Sequence, residues 1–129
     1  MNKLNVVAVA LTLALGAAVA CAAEADGSSL YANHCAACHG QRGEGDGPVA
    51  ALMKVTVPNL RELQKRAGGR FPADAVRAYI DGRSLEPAHG NREMPVWGDV
   101  FRAATAGDEP VIAARVAVLV AFIAELQNR

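Results

Sequence analysis

The sequence predicts an all-α fold, and three observations lead to that prediction. In the stretch 110–127 the apolar residues recur every three or four positions, as on one face of a helix. They are Ile112, Val116, Leu119, Ile123 and Leu126. A second stripe, Val76, Tyr79 and Ile80, has the i, i+3, i+4 spacing of a buried helix face. No stretch alternates apolar and polar residues over more than a few positions, as a half-buried strand would.

The first predicted helix begins after an N-cap at Asp26 or Ser28 and ends at about His39. Gly40 suits the position after a helix end, where left-handed backbone is common. Residues 40–48 contain four glycines and are predicted to form a loop.

The later elements follow in chain order: a helical turn over 48–53, a helix over 58–66, a helix from about Pro72 to Gly82, an irregular loop over 83–99 and a helix over 110–127. Proline is favoured in the first turn of a helix and glycine just after its end, which is why Pro72 and Gly82 bound their helix. The last helix contains Arg115 and is too short to cross a bilayer, so we expect no membrane span in the mature chain.

The five residues Cys35-Ala36-Ala37-Cys38-His39 have the C-x-x-C-H form of a site for covalent attachment of a c-type haem. On a helix, Cys35 and Cys38 are an i, i+3 pair and Cys35 and His39 an i, i+4 pair, so the three side chains share one face. Each thiol can then add to one haem vinyl group, and the imidazole points at the iron. The motif predicts a protein with one covalent haem c that transfers electrons.

Three other chemistries can use a C-x-x-C pair. A structural zinc site usually needs four Cys or His ligands. The chain has only three cysteines, and Cys21 lies in an N-terminal stretch that resembles an export signal. A thioredoxin-type redox pair is expected in a βαβ context, and a structural disulfide needs an oxidising compartment. Neither the redox pair nor the disulfide explains why His39 follows Cys38, so a haem site is the preferred interpretation.

Residues 1–23 have the organisation of a secretory signal peptide. Lys3 supplies the positive start, and residues 4–19 are uncharged and rich in Ala, Leu and Val. Cleavage is expected after one of three small residues, Ala20, Ala22 or Ala23. The mature chain is then one domain over 24–129, which we expect in the periplasm. Length alone does not exclude a retained membrane anchor.

A lipid anchor at Cys21 is a further alternative for this segment. Ala18-Val19-Ala20-Cys21 resembles a bacterial lipobox, in which the cysteine is lipidated, but Ala18 stands where Leu is usual. Removal of Cys21 with the signal peptide is the preferred interpretation.

The charge balance argues against a nucleic-acid partner. The chain has 13 basic and 13 acidic residues, and all the acidic ones lie in 24–129. Haem propionates would add negative charge, so we expect no basic face for a phosphate backbone. One Trp, two Tyr and three Phe are few for a surface that stacks on bases.

Met94 is the best candidate for a second axial ligand opposite His39. Pro95 follows it and favours extended backbone at Met94, so the loop can direct the thioether across the haem. A thioether opposite imidazole raises the reduction potential. The weaker candidates are His89, Met53 and His34.

Four segments together resemble a bacterial class I cytochrome c domain: Cys35-Ala36-Ala37-Cys38-His39-Gly40, Gly47-Pro48, Pro58-Asn59-Leu60 and Met94-Pro95-Val96-Trp97-Gly98. The resemblance covers residues 27–127. It implies a small helical domain wrapped around one haem, in which the first and last helices cross near Tyr31 and residues 119–122. It also implies that the carbonyl group of Pro58 accepts a hydrogen bond from the ring of His39 and so fixes its tautomer.

Two segments and three arginines have open roles within this resemblance. Residues 40–57 and 83–92 are longer than in the shortest family members, and they either cover the haem edge or form a partner surface. The candidates for pairing with haem propionates are Arg70, Arg83 and Arg92, although most surface arginines are simply solvated.

The implied function is transfer of single electrons in the bacterial cell envelope, between a donor and an acceptor that are redox proteins. We therefore expect no enzymatic activity. The alternatives are a haem-c subunit of a larger oxidoreductase, and a haem enzyme or gas sensor in which Met94 leaves an axial site open. No distal catalytic His and Arg pair occurs at a recognisable spacing, which favours the electron carrier.

Overall fold

The computed structural model describes residues 26–85 and 93–128. Within these two ranges it contains six α-helices and no β-strand, which confirms the predicted all-α fold. The helices are α1 Gly27–His34, α2 Ala36–His39, α3 Leu63–Arg66, α4 Ala73–Asp81, α5 Trp97–Ala104 and α6 Glu109–Leu126. Two 3₁₀ turns, Ala50–Leu52 and Leu60–Glu62, precede α3.

Helix α6 is the centre of the hydrophobic core. All five residues of its predicted apolar stripe are at most 3 % exposed. Asp108 caps the helix by accepting a hydrogen bond from the N–H of Val111. Helices α1, α4 and α5 pack against α6. In the part of the chain that the structure describes, no helix is long and apolar enough to cross a membrane.

Helices α1 and α6 cross where the family resemblance implies. The rings of Tyr31 and Phe122 lie 5.0 Å apart between their centroids, and Tyr31 is only 1 % exposed. A Cβ atom at Gly27 would lie 2.9 Å from that of Phe122 and closer still to the carbonyl oxygen of Val118. Glycine is therefore needed at position 27 for the two backbones to approach this closely.

The first predicted helix is interrupted at Cys35, which separates α1 from α2. Asp26 is the N-cap, as expected, and accepts a hydrogen bond from the N–H of Ser29 at 3.0 Å. Cys35 still donates its N–H to the carbonyl of Tyr31 at 2.8 Å and accepts from the N–H of His39 at 2.9 Å. The turn that carries the C-x-x-C-H motif therefore keeps helical hydrogen bonds across the interruption.

Two sequence expectations are wrong. Tyr79 is 55 % exposed, whereas Ile80 is buried. Successive residues of a helix are rotated by about 100°, so the packed face of α4 contains Ile80 and leaves Tyr79 at its edge. The predicted loop over 83–99 includes the start of α5, in which Trp97 and Phe101 form an i, i+4 aromatic pair on the packed side.

Candidate haem site

Cys35 and Cys38 are free thiols on one helical turn, with Cys35 buried and Cys38 half-buried. Burial, and secondly the neighbouring Cys38, raise the pKa of the Cys35 thiol to about 12. Redox-active C-x-x-C pairs have the opposite property, since they depend on a thiol of lowered pKa. The environment of Cys35 thus disfavours the thioredoxin-type alternative.

His39 is 9 % exposed, and its ring is oriented by the backbone of Pro58. The Nδ1 atom lies 3.3 Å from the Pro58 carbonyl oxygen, which is the contact that the family resemblance implies. When Nδ1–H donates to this oxygen, Nε2 carries no proton and its lone pair can bind a metal. Burial lowers the pKa of His39, although the bond to Pro58 acts in the opposite direction. The neutral ring is the form that a metal requires.

The glycine-rich loop after the motif is bonded to the end of α2. Three carbonyls of α2 accept hydrogen bonds from loop N–H groups at 2.8–3.1 Å: Ala37 from Val49, Cys38 from Gly47 and His39 from Gly45. The last carbonyls of a helix otherwise lack partners. This loop therefore holds the short motif helix in place.

Gly40 ends α2 and also accepts a hydrogen bond from α1. Its φ of +79° is a conformation that favours glycine, and an added Cβ would collide with the Asp46 carboxylate. The hydroxyl group of the buried Tyr31 donates to the Gly40 carbonyl at 2.8 Å. The helix crossing is thus linked to the residue that follows His39.

An ion pair stabilises the segment that presents Pro58. Arg61 Nη1 lies 2.6 Å from the Glu44 carboxylate, and the N–H of Leu60 donates to the Gly43 carbonyl at 2.7 Å. These contacts join the glycine loop to the residues after Pro58. No local sequence pattern predicts the pair of Glu44 and Arg61, because the two residues lie 17 positions apart in the chain.

Met94 is half-buried and packs against the hydrophobic core just before α5. The ring of Trp97, in the first turn of α5, lies 5.1 Å from that of His34, measured between centroids. His34 also packs edge-on against Phe101 at 5.5 Å. His34, the residue before Cys35, therefore contributes to packing between α1 and α5. Met53 is half-buried and follows the first 3₁₀ turn.

The donor set fits a covalently held haem better than a metal ion bound by protein alone. It offers two free thiols on one turn and a neutral imidazole whose Nε2 makes no hydrogen bond to the described residues. In those residues no group of three or more His, Cys, Asp or Glu side chains could hold a metal. The zinc alternative therefore lacks its ligands in the described part of the chain.

The comparison with protein families is consistent with this geometry. The sequence model of the family described as Cytochrome c matches residues 24–127, almost the whole chain after residue 23. The chain belongs to the cytochrome c family. No match was found among curated proteins or among solved structures. As a cytochrome c, the protein binds haem c covalently and transfers electrons.

The three arginines considered for the haem propionates of this cytochrome c differ in their surroundings. Arg70 is exposed. Arg83 is not a solvated surface residue, because its guanidinium group pairs with Asp81 and Glu109. Arg92 lies outside the described residues, as do His89 and the proposed signal segment with Cys21.

Proposed function

We propose that this cytochrome c carries single electrons with one haem, whose axial ligands are His39 and Met94. The observation that carries the proposal is the contact of His39 Nδ1 with the Pro58 carbonyl, which leaves Nε2 for the iron. When bound, the haem supplies a one-electron change between ferric and ferrous iron. Cys35 and Cys38 would hold the haem by thioether bonds.

In this proposal His39, with its Pro58 contact, and Met94 have opposite effects on the reduction potential. The Pro58 carbonyl makes the His39 ring a stronger donor, which favours ferric iron. The Met94 thioether favours ferrous iron and raises the potential. Two filled axial positions leave little room for substrate, so the proposal is an electron carrier and not an enzyme or gas sensor.

We further propose that the protein acts in the bacterial cell envelope, after removal of residues 1–23. Attachment of haem to C-x-x-C-H follows export in bacteria, which agrees with the signal-like sequence of this segment. The mass and N-terminal sequence of the mature protein test this proposal. A diacylglycerol-modified Cys21 would indicate a lipid-anchored form instead of a free periplasmic one.

The donor and acceptor are proposed to be redox proteins that bind transiently, as such partners use small interfaces. A larger oxidoreductase that retains this domain as a haem subunit would also transfer electrons through it. Size-exclusion chromatography of the protein from its native membrane and periplasmic fractions distinguishes the two. A monomeric holoprotein supports the free carrier.

A pyridine haemochrome assay on the purified periplasmic protein tests the cofactor. We expect a spectrum of haem with two thioether bonds, at one haem per chain. Absence of covalent haem would overturn the proposal. Tight binding of carbon monoxide by the native ferrous protein would favour an enzyme or sensor with an open axial site.

A further inference from the structure

Arg83 connects the ends of two helices near the Met94 segment. Its Nε and Nη2 atoms hydrogen-bond the carboxylate of Asp81, the last residue of α4. Its Nη1 atom lies 2.9 Å from both carboxylate oxygens of Glu109, the first residue of α6. All three guanidinium nitrogens are thus used, and the side chain is only 20 % exposed.

A third helix, α5, rests on the same ion pair through the buried Gly98. A Cβ atom at Gly98 would lie 2.5 Å from Arg83 Nε, 2.8 Å from the Asp81 carbonyl oxygen and closer still to the Asp81 carboxylate. Real Cβ atoms do not approach other atoms this closely. The first turn of α5 can therefore sit against the Asp81–Arg83 pair only with glycine at position 98.

These contacts anchor Gly98, which lies four residues after Met94 in the sequence. Met94 lies between Arg83 and Gly98 in the sequence, and the Arg83 side chain lies against Gly98. A residue close to an anchored helix start has fewer conformations, so less entropy is lost when its side chain binds. A weak ligand such as a thioether depends on this smaller entropy loss more than a strong ligand does.

We propose that Arg83 is a positioning residue for Met94. By fixing Gly98 at the start of α5, the Asp81–Arg83–Glu109 contacts hold Met94, four residues earlier, in position to bind the iron. This inference rests on the proposed function, because it requires Met94 to be an axial ligand. The guanidinium group is needed for its shape as well as its charge, since an ammonium group cannot bind two carboxylates in the same forked way.

Arg102 offers a matched control for Arg83. Its Nη2 atom lies 2.8 Å from Glu109, and its side chain is 53 % exposed. Among the described residues its ion pair is with Glu109 alone. Substitution of Arg102 therefore removes an arginine from the same carboxylate without removing the support under Gly98.

The test is imidazole titration of the ferric holoprotein, in which imidazole displaces the thioether. The variants are Arg83→Gln, Arg83→Lys, Gly98→Ala and Arg102→Gln. We expect Arg83→Gln to raise the imidazole affinity about fivefold or more, which is the scale of a partly buried, charge-assisted pair. Gly98→Ala should also raise the imidazole affinity. Arg83→Lys should raise it less than Arg83→Gln does, and Arg102→Gln should change it less than about twofold.

Far-UV circular dichroism and thermal unfolding of each holoprotein provide the control for general destabilisation. If Arg83→Gln does not yield folded holoprotein, Gly98→Ala and Arg83→Lys carry the comparison. Equal imidazole affinities for the Arg83, Gly98 and Arg102 variants would overturn the positioning role of Arg83 while leaving the proposed function intact. Absence of sulfur ligation in the wild-type protein would overturn both.

Discussion

The Nδ1 atom of His39 lies 3.3 Å from the carbonyl oxygen of Pro58, slightly beyond the usual range of about 2.7–3.2 Å for an N–H···O hydrogen bond. The chain around this contact is held by bonds from both sides. Gly45 donates to the His39 carbonyl, and Leu60 donates to the Gly43 carbonyl. The backbone of Pro58, which follows the glycine-rich loop, therefore orients the ring of His39, the proposed iron ligand.

The first prediction concerns the reduction potential. Pro58→Ala keeps the carbonyl but frees the backbone φ, which should weaken the bond to His39. The ring then donates less strongly to ferric iron, so the potential should rise by about 10–30 mV. The scale follows from part of a bond worth roughly 1 kcal/mol, with about 59 mV for each tenfold change in a one-electron equilibrium.

Protein-film voltammetry measures this shift, and Pro48→Ala is its control. Pro48 is an exposed proline of the glycine-rich loop that precedes the Pro58 segment. An unchanged or lower potential in Pro58→Ala would contradict the proposed role of the Pro58 carbonyl.

The second prediction concerns the crossing of α1 and α6. Gly27→Ala should lower the free energy of unfolding by about 1–3 kcal/mol, because the added methyl group meets the Val118 carbonyl and Phe122. Denaturant unfolding of the holoprotein measures the loss. Asn33→Ala, an exposed position of the same helix, should change the free energy by less than about 0.5 kcal/mol. Equal effects of the two substitutions would show that the close approach is absent.

The third prediction concerns pH and the Asp81–Arg83 pair. The hydrogen bond from Arg83 lowers the pKa of Asp81 below its ordinary value, against a smaller opposing effect of burial. The stabilisation is therefore complete above about pH 4, the ordinary range of an aspartate. It is lost as the pH falls through the lower pKa of the folded state.

Unfolding free energies of wild type and Asp81→Asn, measured from pH 6 downwards, test this sign. The wild-type advantage should shrink below about pH 4. An advantage for wild type that grows as the pH falls would contradict the prediction.

The parts of the fold that the sequence predicts well depend on local patterns. The five residues of the α6 stripe recur over about four turns, so the buried face of the helix follows from periodicity alone. Gly82 ends α4 with a φ of +72°, as expected of a glycine after a helix. The C-x-x-C-H motif likewise places its three side chains within one turn.

The missed features depend on contacts between residues distant in the chain. Helix α5 has only eight residues, begins just after Pro95 and contains Gly98, so its local pattern resembles a loop. Glycine is needed at position 98 because the Arg83 side chain lies against it, a contact that the local sequence does not indicate. Pairing of Arg83 with Glu109 spans 26 residues and has no local signal.

The near-infrared absorption of the ferric protein, compared between wild type and Met94→Ala, is the decisive measurement for a His39/Met94 centre. Sulfur ligation of ferric haem produces a weak charge-transfer band in this region. We predict the band in the wild-type protein, its loss in Met94→Ala and its retention in Met53→Ala. Absence of the band from the wild type, or its persistence in Met94→Ala, would contradict Met94 as the second axial ligand.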